Sequence, residues 1–282
     1  MVWNIDFITF DNFREHVSNT IKKYGEKLEP YNIVNFNSNI IDPVKMIFDQ
    51  AVYRSDWQTI ISNEIYRQRD KSNNNEIGYF HQRLFSYIDN CTVPSNGENG
   101  GWDVIYNCNN QYPLESGEKI NKIYVELKNK HNTMNSSAAS KTYVKMQSQL
   151  LKEDDCACFL VEAIAKKSQN ITWETTIDKQ KVKHKRIRRV SIDRFYEIVT
   201  GQADAFYKIC MALPLTIQEI LQESNGVLKS PQDIVYDELK ETAESFSNLP
   251  ESQAMILSLY FLGFSSYAGF KKKQEEYNYA TI

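Results

Sequence analysis

The chain has 282 residues, of which 41% are apolar, 12% aromatic and 24% charged, with 10 glycines and 7 prolines. At about 100–200 residues per domain this is one large domain or two modest ones, and the composition excludes global disorder and collagen-like or linker-like sequences. A formal net charge of −3 excludes a strongly basic nucleic-acid coating protein, but not binding through locally focused cations.

The N-terminal residues carry no basic leader followed by an apolar run, so no signal peptide is expected. Asp42-Pro43 reads as a helix start, with Val44, Ile47, Phe48 and Val52 on one face. Asp56 can cap a second helix through Ile60, Ile61 and Ile65. A third begins near Asn75 with the stripe Ile77, Phe80, Leu84 and Ile88. The pattern then changes. Residues 102–106 and 122–130 read as strands, and Ser140 can cap a helix carrying Tyr143, Met146, Leu150 and Leu151. Residues 156–164 form an apolar run broken only by Glu162, as expected of a central buried strand. Residues 171–177 and 186–192 read as a hairpin with a long basic connection. Beyond Asp193 the pattern is helical, with breaks at Asn225-Gly226 and Leu249-Pro250.

The uncharged stretch 252–270 has an apolar heart, 254–264, shorter than the roughly 20 residues a membrane span needs, which predicts a buried or interface helix. Five scattered cysteines without a C-x-x-C pair argue against a disulfide framework or a cysteine zinc site and fit a reducing cytosol. The predicted fold is α/β: a mixed-sheet core over residues 74–201, wrapped by helical parts at 1–73 and 202–282, in one domain.

The strand around residues 123–128 carries the chemistry. With period two, Ile123, Val125 and Leu127 point to the core, while Glu126, Lys128 and Lys130 share the other face. If the preceding strand pairs with it, Asp103 comes beside Glu126. Two carboxylates and a lysine suit metal-assisted phosphodiester hydrolysis. Carboxylate oxygens hold Mg²⁺, the Leu127 carbonyl can complete the shell, and lysine can orient or deprotonate the attacking water. The bland alternative is an ion pair on an exposed sheet face. Glu-Leu-Lys recurs at Glu238 to Lys240 inside a charged run that reads as a solvated helix, so the triplet alone is weak.

Longer segments carry a resemblance. The residues NEIGYFHQ at 75–82, GWDVIYN at 101–107, YVELKNKHNTMNSSAASKTYVKMQ at 124–147, VEAIAKKSQNITWE at 161–174 and RIRRVSIDRFYEIVTG at 186–201 resemble a family of type II restriction endonucleases that cut GGNCC, within the PD-(D/E)xK nuclease superfamily. Trp102 stands where the superfamily name has proline. The resemblance implies Asp103 and Glu126 as metal ligands and Lys128 as the water-side lysine. Glu76 would be a helix carboxylate that faces the metal or supports the lysine, the alternative being a first-turn acid favoured by the helix dipole. Gln147 would be a supporting polar residue or an exposed glutamine.

DNA contact is expected from two places. Lys179, Lys181, Lys183, His184, Lys185, Arg186, Arg188 and Arg189 cluster in one stretch. Its lysines suit phosphates and its arginines could read guanine edges, unless it is a solvated hairpin tip. Lys130, His131, Asn132, Asn135, Ser136 and Ser137 follow the catalytic strand, with Lys141 beyond them. His16 and His81 read as core or surface residues. The resulting expectation is a Mg²⁺-dependent cytoplasmic enzyme that binds double-stranded DNA as a homodimer, since a palindrome matches two-fold symmetry. A cognate DNA methyltransferase is implied functionally. Rivals are another nuclease of the superfamily, such as a junction resolvase or repair nuclease, and a non-catalytic DNA-binding module.

Overall fold

The computed structural model describes residues 3–25, 57–95, 98–131, 134–224 and 267–277, with scattered positions at 45–54 and 244–257. The helix expected from Asp42-Pro43, the break at Asn225-Gly226 and most of the 252–270 stretch lie outside the described residues. The side chains of Ile60, Ile61 and Ile65 do as well.

Six strands form one mixed sheet: β1 (Cys91–Thr92), β2 (Val104–Pro113), β3 (Lys119–Lys130), β4 (Cys156–Ile164), β5 (Asn170–Ile177) and β6 (Gln180–Ser191). Their spatial order is β1-β2-β3-β4-β6-β5. The block β3-β4-β6 is parallel, and β1, β2 and β5 join it antiparallel. β4 is buried along all but its last residue because both of its neighbours are parallel and both of its faces are covered. Helix α3 (Ser136–Lys152) makes the crossover from β3 to β4 and covers one face. There Trp102, Tyr124, Tyr143, Met146, Leu160, Trp173 and Ile187 form a second core. The other face carries the larger core under α1 (Phe10–Gly25), α2 (Trp57–Leu84), α4 (Ile192–Thr200), α5 (Ala205–Ser224) and α6 (Ala268–Glu276). The expected mixed α/β core with flanking helices is therefore what forms. Among the described residues no helix is long and apolar enough to cross a membrane.

Four local expectations change. The second and third helices are one, α2, which runs through residue 73 and ends before Ile88. No proline interrupts the polar run 69–75, and α1 braces it: His16 Nε2 lies 2.9 Å from the Phe80 carbonyl oxygen, and the Tyr24 hydroxyl donates to the Asn73 carbonyl at 3.2 Å. Helix α3 starts earlier than predicted. Asn135 is its N-cap, accepting from the Ala138 N–H at 2.9 Å, while the Ser140 hydroxyl donates to the Ser136 and Thr176 carbonyls. Leu151, placed on that helix's apolar stripe, is 88% exposed. The long basic connection is instead a two-residue turn. Asp178 and Lys179 both take positive φ (48° and 65°), which matches the twist of the flanking strands, so Lys181, Lys183 and Lys185 lie in β6.

Candidate active site

Asp103 stands just before β2 and is stitched onto β3. Its N–H donates to the Val125 carbonyl at 2.9 Å, and its carboxylate Oδ2 accepts the Leu127 N–H at 2.6 Å. The carboxylate thus sits against the backbone between Glu126 and Lys128. Gly100 and Gly101, at φ 78° and 69°, make the turn that delivers it. On the α3 side of β3, Lys128 Nζ donates to Glu126 Oε1 at 2.7 Å. Lys145, from α3, donates to Glu126 Oε2 at 2.8 Å and to the Gly101 carbonyl at 2.7 Å, and lies 4.2 Å from the Trp102 ring centroid. At the back, Gln82 of α2 donates to the Asp103 carbonyl at 3.3 Å.

The two carboxyls are driven apart in acidity. Burial lifts Asp103 above its usual range, with the Leu127 N–H opposing and the Glu126 charge adding to the rise. Burial also pushes Glu126 upward, but Lys128 and Lys145 outweigh it and hold that group below its usual value. Among the described residues no group of three or more His, Cys, Asp or Glu is arranged to hold a metal. The donor set is oxygen-only: two carboxylates, with the Leu127 carbonyl between the paired residues of β3. That set fits a hard divalent cation which keeps several of its waters, rather than zinc.

Two features escaped sequence reading. Lys145 lies on the flank of α3 beside the buried Tyr143 and Met146, and only its long stem brings it over Trp102 to Glu126. Gln147, the residue singled out on that helix, is exposed. The second feature is Glu162, whose side chain is 1% exposed and which neighbours Lys128 in the β3-β4 register. Arg189 donates to its Oε1 through Nε at 3.0 Å and Nη2 at 2.5 Å, and Nη2 also reaches the His131 carbonyl at 3.1 Å. A lone charge in an apolar strand was the available signal, since such a group needs a partner.

The remaining candidates are dispersed. Glu76 lies well inside α2, not in a first turn, and its carboxylate is 3.6 Å from Lys23 Nζ and 3.7 Å from Arg83 Nη1. Lys130 ends β3, and the His131 N–H donates to the Ile164 carbonyl at 3.0 Å. Asn132 lies outside the described residues. Ser136, Ser137 and Lys141 are exposed in the first turns of α3 rather than in a loop, and Asn135 caps it. Lys179 is exposed at the hairpin turn; Lys181 and Lys183 are exposed on β6, Lys181 pairing with Glu174 at 3.1 Å.

The three arginines are engaged within the fold, with Arg186 and Arg189 partly exposed and Arg188 buried. Arg186 donates to Glu118 at 2.7 Å and to the Asp154 carbonyl. Arg188, 3% exposed, bonds Asn170 Oδ1 at 2.6 Å and pairs with Glu115 at 2.9 Å. Arg189 is held by Glu162. All three spend their guanidinium donors tying β6 to neighbouring segments.

A mixed sheet that sets two carboxylates and two lysines against adjacent antiparallel strands is a nuclease-like core. Comparison with known proteins defines it further. The profile of the Eco47II restriction endonuclease family matches residues 5–222. The chain belongs to that family, and is a site-specific type II endonuclease, a hydrolase with DNA as its substrate. It is similar to the type II restriction enzyme Sau96I of Staphylococcus aureus, with 29% identity over 226 residues covering 77% of this chain and 81% of the relative. It is also similar to the type II restriction enzyme Eco47II of Escherichia coli, with 25% identity over 234 residues covering 79% of this chain and 90% of the relative.

Proposed function

We propose that the chain hydrolyses duplex DNA at a short palindromic site, GGNCC by resemblance to its family, using Mg²⁺ and acting as a homodimer in the cytoplasm alongside a cognate methyltransferase. The observation that carries the reading is the placement of the Asp103 carboxylate on the Leu127 N–H, between Glu126 and Lys128. Asp103, Glu126 and the Leu127 carbonyl would hold the metal, which when bound supplies positive charge against the phosphate and lowers the pKa of water.

The chain's own residues do the rest. Lys128, fixed by Glu126, stands where its ammonium can donate to the attacking water and orient it. Lys145 is a positioning residue: by bonding Glu126 and the Gly101 carbonyl together, it ties one carboxylate to the turn that delivers the other. Burial of both carboxylates removes water that would screen these interactions. The test is incubation with plasmid DNA and Mg²⁺ followed by sequencing of the ends. Discrete ends within one palindrome support the reading, and full cleavage by Asp103→Asn would overturn the site.

A further inference from the structure

Most of the cations that sequence analysis assigned to DNA lie on the β5-β6 hairpin, and another basic surface lies on the N-terminal helices. Helices α1 and α2 flank a groove of about 450 Å³ whose lining includes Asn19, Thr20, Lys22, Lys23, Arg83 and Ser86. Arg83 and Ser86 also line a second cleft, of about 360 Å³, together with Gln82, Pro94 and Ser95. Arg83 and Ser86 form a wall common to both, so the two clefts lie side by side as one basic track. Its inner end meets the main chain around Asp103 from behind, at two points. Gln82 bonds the Asp103 carbonyl, and β1 pairs Thr92 with Ile105, so residues 93–95 run on toward Asp103.

The track is built for an anion without base reading. Lys22 is exposed and in no ion pair among the described residues. Lys23 and Arg83 are 38% and 44% exposed at the side chain, and their shared partner Glu76 lies 3.6 and 3.7 Å away, beyond hydrogen-bonding distance. Ser95 adds a hydroxyl and Asn19 an amide, while the Thr20 and Ser86 hydroxyls donate to the His16 and Arg83 carbonyls at 3.1 and 2.7 Å. The ring of Tyr79 beside them carries the Arg83 guanidinium 4.7 Å from its centroid, so one of its faces is taken by a cation rather than offered to an unpaired base. Cations interleaved with hydroxyls are phosphate-contacting chemistry. Buried His16 is pushed down to about 4 by desolvation, so near neutrality it adds no charge to the groove wall.

We infer that this track, from behind Asp103 past Arg83 to Lys22 and Lys23, holds the sugar-phosphate backbone of duplex DNA flanking the cleaved bond. It rests on the nuclease reading above and gives that reading a binding track on the N-terminal helices. Glu76 is then the acid that moderates the track.

The experiment is duplex binding in Ca²⁺ across a salt series, on a GGNCC duplex and a random one. It compares wild type, Lys22→Ala/Lys23→Ala, Arg83→Ala and Glu76→Gln. Lys271→Ala/Lys272→Ala on α6 removes the same charge elsewhere. Each lost phosphate contact should weaken both duplexes about 8-fold at about 0.1 M salt and flatten the log–log salt slope by about 0.9. Glu76→Gln should tighten both, and the α6 variant should leave the slope unchanged. Wild-type affinity and slope in both the lysine and the Arg83 variants, from a wild-type enzyme that cuts plasmid DNA, overturn the track while sparing the nuclease. A loss confined to the GGNCC duplex also overturns it, because it would mean base reading. A wild type that neither binds nor cuts DNA overturns both.

Discussion

Arg189→Met is the most informative single change, because the sequence and the structure give this residue different work. As a base reader it would be dispensable for folding. In the structure it is the partner of a carboxylate that is 1% exposed, while Arg189 itself is 27% exposed. Removing one member of such a pair leaves an uncompensated buried charge, at a cost of about 3–5 kcal/mol. At about 2 °C per kcal/mol for a chain of this size, the melting temperature should fall by roughly 6–10 °C. Glu162→Gln/Arg189→Met removes both charges and should recover about 1–3 kcal/mol of the loss, within the coupling range of contacting residues. Urea denaturation followed by far-UV circular dichroism reads both variants against wild type. A loss below about 1 kcal/mol in Arg189→Met, with collapse of binding to the cognate duplex alone, would refute the structural role and return Arg189 to the DNA.

Asp103→Asn and Glu126→Gln should each abolish cleavage with the urea midpoint near wild type; a large fall in midpoint would mean the carboxylates are structural. Lys145→Met should slow single-turnover cleavage by about 10–100-fold, the usual effect of residues that orient metal ligands, and weaken Ca²⁺ binding measured by calorimetry, with Lys145→Arg restoring part of both. An unchanged rate and unchanged Ca²⁺ affinity would remove Lys145 from the site. Stability should also fall in mild acid. Burial depresses His16 and His81 to about 4 from 6.5, so the unfolded chain binds more protons between those values. Their contribution is fully present above pH 6.5 and lost as the pH falls toward 4. Urea midpoints across pH 4–8 should decline over that window, less steeply in His81→Leu, and a flat profile contradicts the assignment.

Much of the site was legible because a strand obeys a strict period. Glu126 and Lys128 had to share a face, and Asp103 could be placed as soon as β2 was paired with β3. Tyr124 and α3 make that face half-buried, not the open sheet face of the bland alternative. Lys145 was hidden because a long flexible stem, not its angular position on the helix, decides what its ammonium meets. The hairpin was misread because Asp178-Lys179 is not a common type I′ pair, and a run of lysines looks like a loop when alternation is not followed through it. Glu76 was misplaced with the start of its helix, since nothing local shows that a polar run continues as helix when a neighbouring helix braces it.

Position along the chain ranks the pieces of the centre by how soon each can be completed as the chain is made. Asp103 and Leu127 are 24 residues apart across a hairpin closed by a short turn at 114–118. Lys145 reaches Gly101 over 44 residues and needs the crossover helix seated on the sheet. Glu162 and Arg189 are 27 residues apart on β4 and β6, the two strands that β5 separates in the chain but not in the sheet. During synthesis the two acids are available to each other before Lys145 has been added, and the ion pair under the His131 loop can close only once Arg189 has followed. The chain can thus gather its acidic groups early, while the arrangement that would let them act on a chromosome waits for residue 189.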